Sequence, residues 1–392
     1  MAAELYLAGS VRTAIGGFAG SLGDVPVTQL GSTVIKAALS RAGLAPDKVD
    51  EVIMGCVLQG ATKPNPARQS SIAAGVPDTT PAWTINQLCL SGLQAIITAG
   101  QKVQCGDAAA IVAGGMESMS RAPYLLDKAR TGYRMGHGEL YDSMLYDALL
   151  DAFDGRHMGA CGDAAAAKYG FSKAEQDAYA VESYKRAIRA GGDGSFAKEI
   201  VAVEIVGRKG TTVVDKDEEP ARFNEEKMLA LRPAFGKEGT VTAGNASSVN
   251  DGAAAVVVCS GEAAKKLGVK VEARILGSAV AAREPEWFTL APIKAIDALL
   301  KKLGWKVGDA DLYELNEAFS CVPMAAMKDL GIPHDKLNIN GGAVALGHPI
   351  GCSGCRVVVT LLNAMRQSRA KKGIAALCVG GGMGGAIAVE LV

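Results

Sequence analysis

Thr84-Ile-Asn-Gln-Leu-Cys89-Leu-Ser-Gly-Leu-Gln-Ala-Ile-Ile-Thr-Ala-Gly100 is the stretch on which the reading of the whole chain turns. From Ser91 onward the apolar side chains fall at Leu93, Ile96, Ile97 and Val103. That spacing gives a helix one buried face. The helix is expected to end near Gln104, because Gly106 offers a left-handed C-terminal cap. Cys89 then stands just before the first unpaired N–H groups. Their field is expected to lower its thiol pKa and make it a nucleophile. A cysteine taken alone is more often a small buried apolar residue.

Short apolar runs at 4–9, Val52–Val57 and Ala108–Ala113 read as strands, with Thr28–Ala42 as an amphipathic helix between the first two. Arg12 to Gly17 reads as a turn, and Gly114-Gly115-Met116 as the close of its strand. Strands alternating with helices imply an α/β fold with a parallel sheet and right-handed crossovers. From Ser120 to Gly244 polar residues dominate and helices such as Lys173–Arg189 appear, as in a helical insertion over the core. Asp251-Gly252-Ala-Ala-Ala-Val-Val-Val then resumes the strand pattern.

The second half repeats the first. Thr84-Ile85-Asn86 is echoed by Asn338-Ile339-Asn340, Ser91-Gly92 by Ser353-Gly354, and Ile111-Val112-Ala113-Gly114-Gly115-Met116 by Cys378-Val379-Gly380-Gly381-Gly382-Met383. Two similar halves should pack about a pseudo-twofold axis and share a cleft lined from both. The expected division is 1–119 with 250–271 for the first half, 120–249 for the insertion and 272–392 for the second half.

Composition narrows the function. The 41 basic and 41 acidic residues cancel, so nothing favours nucleic acid or an anionic membrane. No apolar run approaches the roughly 20 residues needed to span a bilayer. The start, MAAELYLAGSVRTAIGG, has no basic segment ahead of a long apolar one, so no secretory leader is expected. Nine cysteines, an odd number, suit free thiols in a reducing, cytoplasmic setting.

NQLCLSGL around Cys89, GGMESMS from Gly114, GNASSVNDGAAA from Gly244, ELNEAFS from Glu314, NGGAVALGHPIGCSG from Asn340 and CVGGGMG from Cys378 together resemble thiolases, in that family's order and over essentially the whole chain. The resemblance implies a thiolase fold: two βαβαβαββ halves in five layers (αβαβα), with a helical, coenzyme-A-binding loop domain inserted in the first. It also implies an acyltransferase acting on acyl-CoA substrates and CoA, with no further cofactor and no metal. A homo-oligomer, tetramer or dimer, is expected as well.

By the same resemblance Cys89 would carry the acyl group as a thioester, and His348 would take its thiol proton. Cys378 would move the proton at the second substrate's α-carbon. The N–H groups of Cys89 and Gly380 would form one oxyanion hole, with His348 and a water on Asn316 forming the other. His157, Met158 and Ser247 would line the pantetheine channel, walled by Leu149, Phe235, Ala243 and Phe319, and Arg222 would meet the nucleotide phosphates. His157-Met158 resembles the short-chain members that join two acetyl-CoA into acetoacetyl-CoA and CoA. The alternative is a degradative 3-ketoacyl-CoA thiolase for longer or branched chains.

A scaffold on this fold would be expected to lack one of Cys89, Asn316, His348 or Cys378. A carrier-dependent condensing enzyme would be expected to lack the second cysteine. Three departures stand out. Leu90 replaces a usual small residue beside the nucleophile and is read as narrowing the acyl pocket. Phe288 stands where short-chain members often carry Met, and Cys352 and Cys355 replace Ala. Their CxxC spacing is read as packing at a helix start rather than a redox or zinc pair.

Overall fold

Residues buried alternately on two faces of the same strand define the architecture. A computed structural model describes residues 3–208 and 210–392. Its main strands are β1 (Leu5–Thr13), β2 (Glu51–Gly55), β3 (Ala82–Ile85), β4 (Ala110–Ser118), β5 (Asn250–Ser260), β6 (Val271–Ala282), β7 (Leu312–Leu315), β8 (Lys372–Val379) and β9 (Met383–Leu391). The main helices are α1 (Val27–Ala42), α2 (Pro66–Ala73), α3 (Ser91–Cys105), α4 (Met158–Tyr169), α5 (Lys173–Gly192), α6 (Ala291–Leu303), α7 (Cys321–Leu330) and α8 (Ile350–Ser368).

On β5, Ala253, Ala255, Val257 and Cys259 pack with α1, while Ala254, Val256 and Val258 pack with α3 and α8. On β8, Ala375, Leu377 and Val379 meet the same central pair, and Ile374, Ala376 and Cys378 face α6 and α7. Because successive side chains leave a strand on opposite sides, these clusters stack as five layers: α1 and α2, the first sheet region, α3 with α8, the second sheet region, then α6 and α7. Both faces of each sheet are covered, so the strands read as continuous apolar runs rather than alternating ones.

The strands hydrogen-bond in the order β7-β8-β9-β6-β1-β5-β4-β2-β3, so the halves join edge to edge where β1 meets β6. Among the main strands the expectation of a parallel sheet holds for β2 with β3 and β4, and for β7 with β8. β5 lies antiparallel to both β1 and β4, and β9 antiparallel to β8. The physical reason is connectivity. The chain re-enters β5 from an insertion of many residues rather than from a right-handed helical crossover, and β8 turns straight into β9 through three glycines.

Two local readings also shift. Arg12 and Thr13 belong to β1 rather than a turn, and Gly114-Gly115-Met116 lie inside β4. Gly114 and Gly115 stay in the strand because neighbouring backbone lies against them: a Cβ on Gly115 would sit 1.9 Å from the Gly351 oxygen. The insertion is less helical than expected. Besides α4 and α5 it holds a hairpin, with Val203–Gly207 paired to Gly210–Val214.

The central helices meet with almost no side chain between them. A Cβ on Gly92 would lie 2.7 Å from the Cys355 nitrogen, and one on Gly354 would lie 2.3 Å from the Leu93 nitrogen. Gly92 precedes Leu93 as Gly354 precedes Cys355, so the contact is reciprocal, as a pseudo-twofold axis through the crossing requires. Cys352 and Cys355 are buried here as free thiols, packed against α3. Leu90 packs into the core beneath β9. It is fully buried, and a Cβ on Gly385 of β9 would lie 2.4 Å from its Cδ1. The small residue that makes room has moved across to the facing strand.

Candidate active site

Cys89 sits on a strained turn. Leu88 adopts φ +48°, a left-handed conformation costly for a branched side chain. Two side chains hold it there. Asn86 Oδ1 accepts the Leu88 N–H at 3.0 Å, while Ser91 Oγ accepts the Gln87 N–H at 2.8 Å and donates to the Leu88 carbonyl at 2.6 Å. The turn lifts Cys89 off the end of β3 ahead of α3.

The Gly380 N–H is placed to favour the Cys89 thiolate, and Cys378 lies close enough to Cys89 for a charge there to disfavour its own ionisation. Gly380 fits because it is glycine: a Cβ there would stand 2.5 Å from Met158 Cε and 3.2 Å from Leu88 Cδ1. Burial pushes the Cys89 thiol up to about 11, with the Gly380 N–H acting the other way. This reverses the expectation of a lowered pKa. A helix terminus is worth about 0.3–1 kcal/mol, and desolvation in this dense setting outweighs it. Cys378, fully buried near the end of β8, is raised by the same cause. Both sulfurs rest as thiols.

His348 lies in the loop between a short helix, Ala343–Leu346, and α8. Its backbone N–H donates to Asn250 Oδ1 at 2.9 Å, and a Cβ on Gly347 would strike that amide at 2.2 Å. Its Nδ1 lies 2.6 Å from Ser353 Oγ, and the Ser353 hydroxyl donates to the Pro349 carbonyl at 3.0 Å. With that hydrogen committed, Nδ1–H is the donor to Ser353, and Nε2 keeps its lone pair. Nε2 is buried with no protein partner. Burial, with the Arg356 charge as a smaller cause, brings the imidazole down to about 3. It is neutral at ordinary pH and able to accept a proton.

Ile350, two residues beyond His348, packs in one apolar cluster with Leu88, Cys89 and Leu149. The histidine loop and the Cys89 turn thereby close on each other. Glu117, fully buried at the end of β4, ties the start of α8 to the segment after β2 by accepting N–H bonds from Val57 at 3.0 Å, Leu58 at 3.1 Å and Gly351 at 2.8 Å. Asn316 follows β7. Its backbone N–H donates to Ala376 on the Cys378 strand at 2.9 Å, and its Nδ2 is buried without a partner.

The insertion supplies the neighbouring wall. His157 caps α4, accepting the Gly159 N–H on Nδ1 at 3.0 Å, which leaves its hydrogen on Nε2. Its ring stacks on Phe235 at 4.6 Å, and Phe235 meets Phe319 edge-on at 6.4 Å. Ala246 bridges to Phe319 and Leu150 to His157, while Ser247 donates from both N and Oγ to Ala318. Met158 reaches Gly380, and Phe288 packs in the same cluster as Met158 and Cys378. Ala243 is exposed on the loop beside them.

Arg222 stands apart from this set. It pairs with Glu218 and, at 3.5 Å, with Glu219, beside Gly17. Glu218 is anchored by the N–H groups of Gly17 and Ser21, and the Arg222 side chain lies about half-exposed against it. Sequence reasoning missed Ser353, Asn250, Glu117 and Arg356 as supports. The signal available was the run of polar residues inside otherwise apolar motifs.

Residues 5–262 match the family model described as thiolase, N-terminal domain, and residues 269–391 the one described as thiolase, C-terminal domain. The chain belongs to the thiolase family. An acetyl-CoA acetyltransferase of Chromobacterium violaceum is 49% identical over 389 residues, covering 99% of this chain and 99% of that one. One of Pseudomonas aeruginosa is 48% identical, covering 98% of each. The crystal structure of the Bacillus anthracis acetyl-CoA acetyltransferase superposes with a TM-score of 0.97 at 41% identity, covering 100% of this thiolase and 99% of that chain. The thiolase fold and an acyltransferase activity follow. Among the described residues no helix is long and apolar enough to cross a membrane.

Proposed function

We propose that this thiolase is an acetyl-CoA acetyltransferase, joining two acetyl-CoA into acetoacetyl-CoA and CoA reversibly, with no cofactor beyond its CoA thioesters. The observation that supports the reading is a convergence of elements from both halves: Cys89 lies close enough to the Gly380 N–H and to Cys378 for ionisation to be coupled, Cys89 packs in one cluster with Ile350 beside the His348 loop, and His348 Nε2 and Asn316 Nδ2 are buried without partners.

His348 Nε2 takes the Cys89 proton, and the thiolate attacks the acetyl carbonyl, whose oxygen gathers charge at the Cys89 and Gly380 N–H groups. The bond to the CoA sulfur breaks, and that sulfur takes the Cys378 proton. The Cys378 thiolate then removes a proton from the methyl carbon of a second acetyl-CoA. His348 and a water on Asn316 Nδ2 hold the enolate oxygen. The carbon attacks the acyl-Cys89 thioester, Cys89 leaves as thiolate, and His348 returns its proton. Each proton is accounted for: the one lost from carbon ends on Cys378, and the one Cys378 gave up leaves with CoA.

The pantetheine arm of the substrate would run along His157, Met158, Phe235 and Ser247, beside Leu149 and Ala243, within the segment 120–249 that we read as the CoA-binding domain, and against Phe319 of the second half. The side chains that meet the phosphates are left open by the engagement of Arg222. Exposed apolar groups on that segment, among them Tyr124, Met135, Tyr146 and Phe153, favour a homo-oligomer. All nine cysteines are free thiols, which suits the cytoplasm.

The direct test compares CoA-dependent cleavage of acetoacetyl-CoA with that of 3-ketoacyl-CoA substrates of increasing length. The expected kcat/KM is at least about tenfold higher for acetoacetyl-CoA, since specificity at an apolar acyl pocket runs at about 1–3 kcal/mol per methylene. A reversed ranking overturns the reading in favour of a degradative thiolase. Condensation from acetyl-CoA alone also separates it from a carrier-dependent enzyme.

The His348 environment adds a pH prediction. A general base works only in its unprotonated form, so lowering its pKa moves the acid limb of kcat/KM downward. With the imidazole held at about 3, activity should stay flat as pH falls through the ordinary histidine range near 6.5. A limb centred there in the cleavage of acetoacetyl-CoA contradicts the assignment.

A further inference from the structure

Arg356 is a fully buried guanidinium inside α8, flanked by two residues from the end of the neighbouring strand β7. Glu314 and Asn316 alternate there and so share a face. Nη1 donates to Glu314 Oε1 at 2.7 Å, and Nη2 to Asn316 Oδ1 at 3.2 Å. A guanidinium has donors only, in a planar fork. An amide lying against it must therefore turn its carbonyl oxygen inward and its NH2 outward. The outward Nδ2 is buried and has no hydrogen-bond partner.

Without such a neighbour the two faces of an amide are nearly equivalent, and the flipped form would present an oxygen to a developing oxyanion. Glu314 neutralises the arginine, and a neutral pair buried this deeply gives little stability over apolar residues of the same volume. Its value lies in what it orients.

We infer that Arg356 is a positioning residue for the carbon–carbon step: its fork fixes the Asn316 amide with Nδ2 facing the reacting enolate oxygen. The inference rests on the condensation reading above. One helix then arms both donors of that hole, since Ser353 of α8 sets the His348 tautomer and Arg356 sets the amide. The same arginine charge helps keep His348 neutral.

The test separates the half-reactions in the full-length enzyme. Acetyl exchange between acetyl-CoA and Cys89 needs no enolate, whereas acetoacetyl-CoA formation and cleavage do. Arg356→Lys keeps a charge for Glu314 but loses the fork. Arg356→Met with Glu314→Gln removes both charges, leaving no orphaned carboxylate, and Glu314→Gln alone keeps the arginine on Asn316. The expected result for the first two is exchange and KM within about threefold of the parent, with kcat for the carbon–carbon step down about 10–100-fold, on the scale of losing one oriented donor. Glu314→Gln should retain both activities within about threefold.

Arg356→Lys, with its charge intact, is read if the double variant does not fold. Unchanged carbon–carbon turnover in Arg356→Lys overturns the inference. So does a loss in Glu314→Gln equal to that in the double variant, or a parallel fall of exchange and carbon–carbon chemistry. A parent enzyme that exchanges acetyl groups yet never forms acetoacetyl-CoA overturns the function reading instead.

Discussion

A Cys89→Ala variant takes no acetyl group from acetyl-CoA and does not cleave acetoacetyl-CoA with CoA. The loss in both assays should be about 10⁴-fold or more, because a nucleophile and its base act as a unit and removing one member removes the pathway. Cys378 cannot stand in, since its thiol is likewise held protonated by burial and it comes from the opposite half. The variant deletes one sulfur from a half-buried position, so thermal unfolding should change little. Mass spectrometry of the enzyme after exposure to acetyl-CoA reads the first assay, and loss of acetoacetyl-CoA absorbance the second. An acetylated Cys89→Ala enzyme, or turnover within tenfold of the parent, removes Cys89 from the role of acyl carrier.

Cys378→Ala should divide the reaction rather than abolish it. With the acid/base at carbon gone, formation and cleavage of the carbon–carbon bond fall by about 10²–10⁴, the usual scale of general acid–base catalysis. Acetyl transfer to Cys89 is slowed less and remains detectable, because it loses only the proton that Cys378 gives the departing CoA sulfur while His348 Nε2 is untouched. The contrast between the two cysteine variants is the point of the pair. If both lost acetyl transfer alike, Cys378 would be part of the first half-reaction only. If Cys378→Ala cleaved acetoacetyl-CoA normally, another group would be moving the proton at carbon.

Much of this was legible in the chain. The apolar spacing from Leu93 to Val103 and the cap at Gly106 gave the central helix almost to the residue: it runs from Ser91 to Cys105, with Gly106 at φ 83°. The echo of Ser91-Gly92 in Ser353-Gly354 foretold the axis at which the two helices touch. Such features are local or repeated, so a linear reading can find them.

What escaped depends on partners brought together only by folding. The Cys89 pKa moves upward because of packing around the sulfur, which no spacing encodes. Leu90 turned out to fill the space over Gly385, nearly the length of the chain away. The ion pair of Arg222 with Glu218, which Gly17 and Ser21 hold from a distant part of the chain, likewise left no mark in the sequence. The antiparallel entry of β5 follows from a long excursion whose return direction cannot be inferred from strand composition.

The crossing of α3 and α8 has a bearing on how such a molecule can change over time. Because Gly92 and Gly354 bring main chain against main chain, the spacing between the two helices is set by peptide groups, which every protein shares, and not by a layer of replaceable side chains. Mutation can repaint the outer helices or the CoA-facing insertion and alter what is accepted. That crossing has no such dial, so new substrate range in this scaffold must come from the periphery, with the junction of the two halves carried along intact.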